Sequence, residues 1–192
     1  MGSLVLTGDT SGSITVNVPL VAGSNTATIG AATGTHFPFT AGTAVASTSG
    51  TSIDFTGIPS WVKRITVMFN SVSTSGTSLV QVQIGAGSVT TTGYASNSSV
   101  MGSGGTASSS STTGFLLDAG TPGAATVRNG TLTILNQTGN TWVSSVAAAR
   151  TDSYGLTGGG FIALGGALDR VRITTVNGTD AFDAGSINIL YE

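Results

Sequence analysis

Residues 79–84 read Leu-Val-Gln-Val-Gln-Ile, and from Val80 to Ile84 three aliphatic residues alternate with two amide side chains. On an extended strand, successive side chains point to opposite faces, so the three aliphatic residues share one face. Residues 61–69 (WVKRITVMF) and 13–18 (SITVNV) alternate in the same way, and Pro19 ends the latter. This pattern predicts strands with one buried face.

The rest of the chain favours strands over helices. Gly, Ser, Thr and Val are poor helix formers, and no long window has apolar residues at helical spacing. The best helical candidate is residues 143–150 (VSSVAAAR), which also fits a strand. Many short β runs with turn residues between them predict an all-β, antiparallel, jelly-roll-like sandwich.

Two segments have the pattern of hairpins. Asn129-Gly130 lies between apolar runs, and this dipeptide favours the type I′ turn, which needs positive φ at both central residues. The second candidate joins residues 171–176 to residues 186–191, through a connection that is too long for a two-residue turn.

Composition predicts a division near residue 50. Residues 1–50 are rich in Gly and Thr and low in aromatics, which favours an extended N-terminal docking arm or short β segment, while residues 51–192 form the sandwich. Residues 102–114 (GSGGTASSSSTTG) contain no apolar side chain larger than Ala, so we expect a mobile surface loop. Such a loop either binds a partner or is a slack connection.

Charge is scarce. The 192 residues carry 6 Lys+Arg and 8 Asp+Glu, a net charge of −2, and the charged fraction is 7%, where roughly 25% is usual. Nucleic-acid binding is therefore not expected, since it depends on clustered Lys and Arg, and Lys63 is the single lysine. A mean hydropathy of +0.32 in so weakly charged a chain indicates oligomerisation.

Several further classes are not expected. The chain has no cysteine, which excludes disulfides, Cys-ligated metals and thiol catalysis. No apolar run is long enough to span a membrane and no signal peptide precedes the first strand, so we expect synthesis in a cytoplasm without membrane insertion.

No catalytic constellation stands out. The single histidine, His36, has no supporting triad or metal partners, and the G-x-S-x-G motif is absent. Asp180 and Asp183 lie in a loop and favour Asx turns over calcium binding. Residues 158–160 (GGG) lack the Lys-Ser/Thr of a phosphate-binding loop and favour close backbone packing. We expect no catalytic residue, cofactor or metal.

The remaining candidates are surface contacts. Arg170 and Arg172 share a strand face and predict pairing with Asp152, Asp169 or Asp183, or with a neighbouring subunit. Aromatic rings stack on sugars, and the four candidates are Trp61, Trp142, Tyr94 and Tyr154. The two tyrosines lie in Gly/Ser-rich surroundings and are the better exposed candidates, whereas Trp61 fits a core position.

Three groups of motifs resemble tail-fibre and other virion structural proteins of tailed bacteriophages. They are residues 8–16 (GDTSGSITV) with 22–29 (AGSNTATI) and 32–35 (ATGT), residues 51–67 (TSIDFTGIPSWVKRITV), and residues 169–174 (DRVRIT) with 182–192 (FDAGSINILYE). The last group resembles the C-terminal hairpin of such proteins. The resemblance covers about half of the chain and brings no catalytic residues.

The resemblance implies a non-enzymatic virion component that is made in the host cytoplasm and assembled into the particle. The leading expectation is a short tail fibre or receptor-binding protein, built as a homotrimer, that contacts other virion proteins and a host surface glycan or protein. Its expected receptor-facing residues are Tyr94, Gly102, Ser108, Thr113 and Tyr154. The alternatives are a capsid decoration (cement) protein and a polysaccharide depolymerase, which needs a carboxylate pair such as Asp152 and Asp169.

Overall fold

A computed structural model describes residues 3–7, 13–17 and 39–192, and every regular element in them is a β-strand. In chain order the strands are β1 Ser3–Thr7, β2 Ser13–Asn17, β3 Thr40–Ala41, β4 Val45–Ala46, β5 Ser52–Thr56, β6 Arg64–Thr74, β7 Val80–Ala86, β8 Ser88–Val89, β9 Ala95–Gly102, β10 Gly105–Ser111, β11 Phe115–Leu116, β12 Arg128–Thr138, β13 Thr141–Arg150, β14 Tyr154–Ala163, β15 Arg170–Thr175 and β16 Phe182–Tyr191. The all-β prediction is confirmed.

The chain divides into two compact units, Met1–His36 and Phe37–Glu192. In the first unit β1 and β2 pair antiparallel, which confirms the strand predicted at residues 13–18. His36 and most of the predicted arm lie outside the described residues. The division falls earlier than the predicted boundary near residue 50, because β3 and β4 both pair with the C-terminal strand β16.

The second unit is an antiparallel β-sandwich. Its larger sheet has nine strands in the order β10-β9-β14-β13-β12-β6-β16-β3, with β4 also paired to β16. Its smaller sheet has five strands in the order β11-β7-β15-β5, with β8 paired to β7. Alternating aliphatic residues of both sheets form one buried core, among them Ile65, Val67, Leu132, Ile134, Val82, Ile84, Val171 and Ile173. Burial of each such side chain contributes roughly 1.5–3 kcal/mol.

The helical alternative for residues 143–150 is wrong, because this segment forms most of β13. Trp142 and Val146 are buried on its inner face, and β13 pairs along its length with β12 and β14. Residues 158–160 lie in the neighbouring strand β14, where a Cβ on Gly158 would lie 2.6 Å from the Asn97 carbonyl oxygen. Close backbone packing at these glycines is therefore confirmed.

Both predicted hairpins are corrected. Asn129-Gly130 lies inside β12, where the pairing with β6 shifts register between Arg128 and Gly130. The tight turn is instead Gly139-Asn140, because Thr138 pairs with Thr141. The strands predicted around residues 177–180 both exist, but β15 belongs to the smaller sheet and β16 to the larger. Their connection crosses between the sheets.

The prediction of a mobile loop at residues 102–114 is also wrong. The segment turns at Ser103-Gly104 and returns as β10, which pairs with β9 residue by residue from Gly105 to Ser111. Serine and threonine tolerate an extended backbone, and pairing with a neighbouring strand compensates for the lack of apolar side chains. The segment is thus the edge strand of the larger sheet.

Candidate binding site

A buried ion network ties three segments of the sandwich together. Asp118 follows β11 and accepts from Arg128 Nε at 2.7 Å and from Arg150 Nη1 at 2.8 Å. Arg128 begins β12 and Arg150 ends β13. Asp118 and Arg128 are fully buried, and Arg150 is nearly so. Because a charge left unpaired in a protein interior is costly, this network fixes the position of Arg150.

Arg150 carries the network to the surface. Its Nε and Nη2 donate to Asp152 Oδ1 and Oδ2 at 3.0 and 2.7 Å, and its Nη1 also donates to the Ala119 carbonyl oxygen at 3.1 Å. Burial lowers the pKa of Arg150, but hydrogen bonds to Asp152 and Asp118 outweigh it and raise the pKa above the usual arginine value. The guanidinium thus makes four of the five hydrogen bonds that it can donate.

Asp152 is the exposed end of the network. The hydrogen bond from Arg150 lowers the pKa of this carboxyl below its usual value. The side chain is 38% exposed, and each oxygen has a second lone pair beyond the one used by Arg150. Asp152 therefore presents a fixed, ionised acceptor to solvent.

Tyr154 lies beside this ion pair. The Arg150 guanidinium group lies over the tyrosine ring, with its Cζ atom 4.9 Å from the ring centroid, in a cation–π contact. The ring also lies against the β9–β10 turn, where a Cβ on Gly104 would be 2.1 Å from the tyrosine hydroxyl oxygen. Glycine at position 104 is thus required for the observed position of Tyr154.

Together these groups line a cleft of about 260 Å³ whose walls are mainly polar. We call it the Tyr154 cleft. Thr106 and Thr121 add exposed hydroxyls, and Ala107 and Ala119 add small apolar surfaces. The cleft is lined by Val100, Gly104, Gly105, Thr106, Ala107, Ala119, Gly120, Thr121, Arg150, Asp152 and Tyr154.

The structure brings together only part of the predicted receptor-facing set. Tyr154 lines the cleft, and Gly102 pairs with it across β9 and β14 without lining the cleft itself. Ser108 lies on β10 and is exposed, but it does not line the cleft. Thr113 follows β10, where its Oγ1 donates to Gln81 Oε1 at 3.0 Å.

Tyr94 was expected at the surface and is instead 2% exposed. Its ring packs edge-on against Phe115 with centroids 5.0 Å apart, and its hydroxyl accepts from Ile84 N at 2.7 Å. Burial raises the pKa of Tyr94 to about 12. It contributes to one wall of an open groove of about 540 Å³ near Asn97 and Thr112, but its ring is inaccessible for stacking.

The tryptophans do not provide a sugar platform in this cleft. Trp142 is buried in the core, and half-buried Trp61 packs against Tyr191 with ring centroids 6.1 Å apart. The core position expected for Trp61 is therefore partly confirmed.

The predicted arginine pairs form, with one change of partner. Arg170 pairs with Asp169 at 2.8 Å as expected, while Arg172 pairs with Asp54 at 2.7 Å instead of the acids proposed from sequence. The hydrogen bond from Arg170 lowers the pKa of Asp169.

The predicted Asx turns do not form at the two carboxylates, because Asp183 lies within β16 and the Phe182 amide that an Asx turn at Asp180 would need donates to the Gly50 carbonyl oxygen. Asp180 accepts from Ser78 N at 2.9 Å and from Asn177 Nδ2 at 2.7 Å, and these bonds lower its pKa, the Asn177 bond most. Asp183 accepts from the Ser73 hydroxyl. Across the described residues no group of three or more His, Cys, Asp and Glu is arranged to hold a metal ion. Within the same residues no helix is long and apolar enough to cross a membrane.

The sequence patterns did not predict the buried ion network behind the cleft. Asp118, Arg128 and Arg150 come from separate segments, and their meeting depends on strand pairing. One signal was present, because Trp142, Val146 and Arg150 have the same parity along β13 and therefore point inward together.

Comparison with known protein families, curated proteins and solved structures finds no match to this chain. The structure defines an antiparallel β-sandwich protein with a small polar cleft. Any functional assignment therefore rests on the geometry of the cleft and on the motifs described above.

Proposed function

We propose that this chain is a non-enzymatic virion protein of a tailed bacteriophage, a short tail fibre or receptor-binding component that assembles as a homotrimer and binds a host surface glycan or protein. The observation that supports binding most directly is the Tyr154 cleft, where an ionised carboxylate, a phenol and two threonine hydroxyls surround a ligand-sized space. The motif resemblance supports the assignment of the chain to a virion and its assembly in the host cytoplasm.

The chemistry of the cleft favours a neutral, hydroxyl-rich ligand. Asp152 accepts hydrogen bonds, while Tyr154, Thr106 and Thr121 both donate and accept. Arg150 has most of its donors committed to Asp152, Asp118 and Ala119, so it offers little to an anion. A sugar residue of a bacterial surface polysaccharide fits this set of groups.

The protonation state of the cleft favours binding over hydrolysis. A glycoside hydrolase needs a carboxyl group that stays protonated to act as general acid. The lowered pKa values of Asp152 and Asp169 keep both ionised, and Asp169 does not line the cleft. Asp152 and Asp169 therefore give no support to the depolymerase alternative.

The experiment displaces the Tyr154 ring without replacing any residue of the ion network. In Gly104→Ala the new methyl group collides with the Tyr154 hydroxyl, so the ring must move, and we expect binding of the purified full chain to host cells to fall at least about tenfold. Gly165→Ala is the matched control, because a Cβ at that exposed glycine meets nothing within 4 Å. Equal binding by both variants would contradict a role for this cleft.

The decoration protein is the second candidate. The outward residues of β9, β12, β13 and β14 favour it, since none of them is charged and such a surface can lie on a capsid lattice. Immunogold electron microscopy of intact virions distinguishes the two functions. Label confined to the tail supports receptor binding, whereas label spread over the head supports decoration. Loss of a decoration protein would lower particle stability and leave adsorption intact.

A further inference from the structure

Five adjacent strands of the larger sheet present an outer surface without charge, which ends at β6, where Arg64 lies opposite Leu135 and pairs with Glu192. The surface consists of the side chains that point away from the smaller sheet, namely the odd-numbered residues of β9, β12, β13 and β14 and the even-numbered residues of β10. We call it the uncharged face. Across these five described strands no outward residue is Asp, Glu, Lys or Arg.

The uncharged face also exposes apolar side chains in one row. Phe161, Val143 and Leu135 lie opposite one another on adjacent strands β14, β13 and β12. Phe161 is 52% exposed and Leu135 is 41% exposed. Isolated apolar residues are common on surfaces, but a contiguous row on one sheet face is typical of a contact surface.

The size of the uncharged face suits a protein interface. Five strands spaced about 4.8 Å apart, with about nine residues each at roughly 3.4 Å per residue, cover on the order of 700 Å². A stable interface buries about 800 Å² on each partner.

The pattern of charge indicates the partner. Each of the five arginines pairs with a carboxylate elsewhere in the sandwich. Contacts between different proteins commonly use complementary charges. Near a symmetry axis between identical subunits, including the threefold axis of a trimer, each charge approaches its own copies, so a face without charge suits self-contact around such an axis.

We propose that the uncharged face is the surface through which copies of this chain contact each other. The inference rests on the proposed assembly into a homo-oligomer, and it is independent of receptor binding. It assigns to this contact the outward side chains near the centre of β13 and β14, including Ser145 and Thr157.

The test introduces a charge at the centre of the face. Thr157 is exposed, so Thr157→Glu leaves the core unchanged but brings like charges together in a self-contact. Thr56→Glu makes the same change at an exposed position on the outer face of β5 in the smaller sheet. Analytical ultracentrifugation of the full chain and of both variants measures the dissociation constant, and circular dichroism verifies that each is folded.

We expect the unaltered chain to be an oligomer, Thr157→Glu to raise its dissociation constant at least about tenfold, and Thr56→Glu to leave it unchanged. A chain that is monomeric at about 0.1 mM would overturn both the assembly and this contact, and would leave a capsid protein or another segment of the chain as the occupant. An oligomer that Thr157→Glu does not weaken would overturn the assigned surface alone. Equal weakening by both variants would also overturn it.

Discussion

The outer face of the smaller sheet and the uncharged face of the larger sheet differ in charge. On the smaller sheet Asp54 and Arg172 lie opposite each other in β5 and β15 and form a bidentate pair at 2.7 and 2.8 Å, and Arg170 pairs with Asp169. The outward residues of the five strands of the uncharged face include no such group. The few charges of this chain are therefore concentrated away from one broad surface, a distribution that low overall charge alone would not produce.

The largest loss of stability should come from disrupting the buried ion network of Asp118, Arg128 and Arg150. In Asp118→Asn the buried Arg128 and Arg150 lose their shared carboxylate, and we expect the free energy of unfolding to fall by about 3–5 kcal/mol, because a buried charge is left without compensation. Denaturant titration measures this loss. A loss below about 1 kcal/mol would show that the network is not a structural anchor of the cleft.

The next prediction tests the apolar row of the uncharged face. Phe161→Ser removes a large side chain that is half exposed in the single chain, so we expect at least about tenfold weaker self-association, with unfolding of the monomer little changed. Val176→Ser is the control, since Val176 is 45% exposed but follows β15, outside that face. Sedimentation of the two variants, side by side, measures the difference. Similar weakening by both would contradict the contrast between the faces.

A smaller effect is expected on the charged face. Asp54→Asn removes one partner of an ion pair whose side chains are both more than one-third exposed, so the free energy of unfolding should fall by less than about 1 kcal/mol. Asp54→Asn and Asp118→Asn change the same atoms, the first in an exposed ion pair and the second in a buried one, so the two variants isolate the effect of burial. If the two variants lost equal stability, burial would not be what distinguishes these pairs.

Acid should produce the smallest and most gradual change. The hydrogen bond from Arg150 holds the pKa of Asp152 below the usual aspartate value, so its contribution to stability is present above that usual value and is lost as the pH falls through the lower pKa of the folded state. The melting temperature of the unaltered chain should therefore decline below about pH 4. The decline should be shallower in Asp152→Asn, and identical curves for the two proteins would contradict this contribution.

Local patterns predicted the strands and failed where pairing decides the structure. The alternation at residues 79–84 and 61–69 correctly placed most of β7 and β6. Asn129-Gly130 misled because a turn signal cannot show that both neighbouring strands continue past it. Residues 102–114 misled because an edge strand of small polar residues has the composition of a loop.

The candidate site was predictable in part, for the same reason. Tyr154 was identified from its Gly/Ser-rich surroundings and lines the cleft, whereas Gly102 only pairs with it across β9 and β14. Tyr94 has similar sequence surroundings but lies in the core against Phe115. The Asp118 network joins residues that only the folded sheets bring together, so no local pattern contained it.

The local pairing of every arginine has a consequence for long-range forces. An ion pair with atoms less than 3 Å apart cancels most of its own field within a Debye length, which is about 8 Å in physiological salt. A molecule with net charge −2 and no unbalanced patch on its uncharged face therefore exerts little electrostatic steering on an approaching copy. Its encounters are governed by diffusion and shape, and assembly should proceed at nearly the same rate in dilute and in concentrated electrolyte.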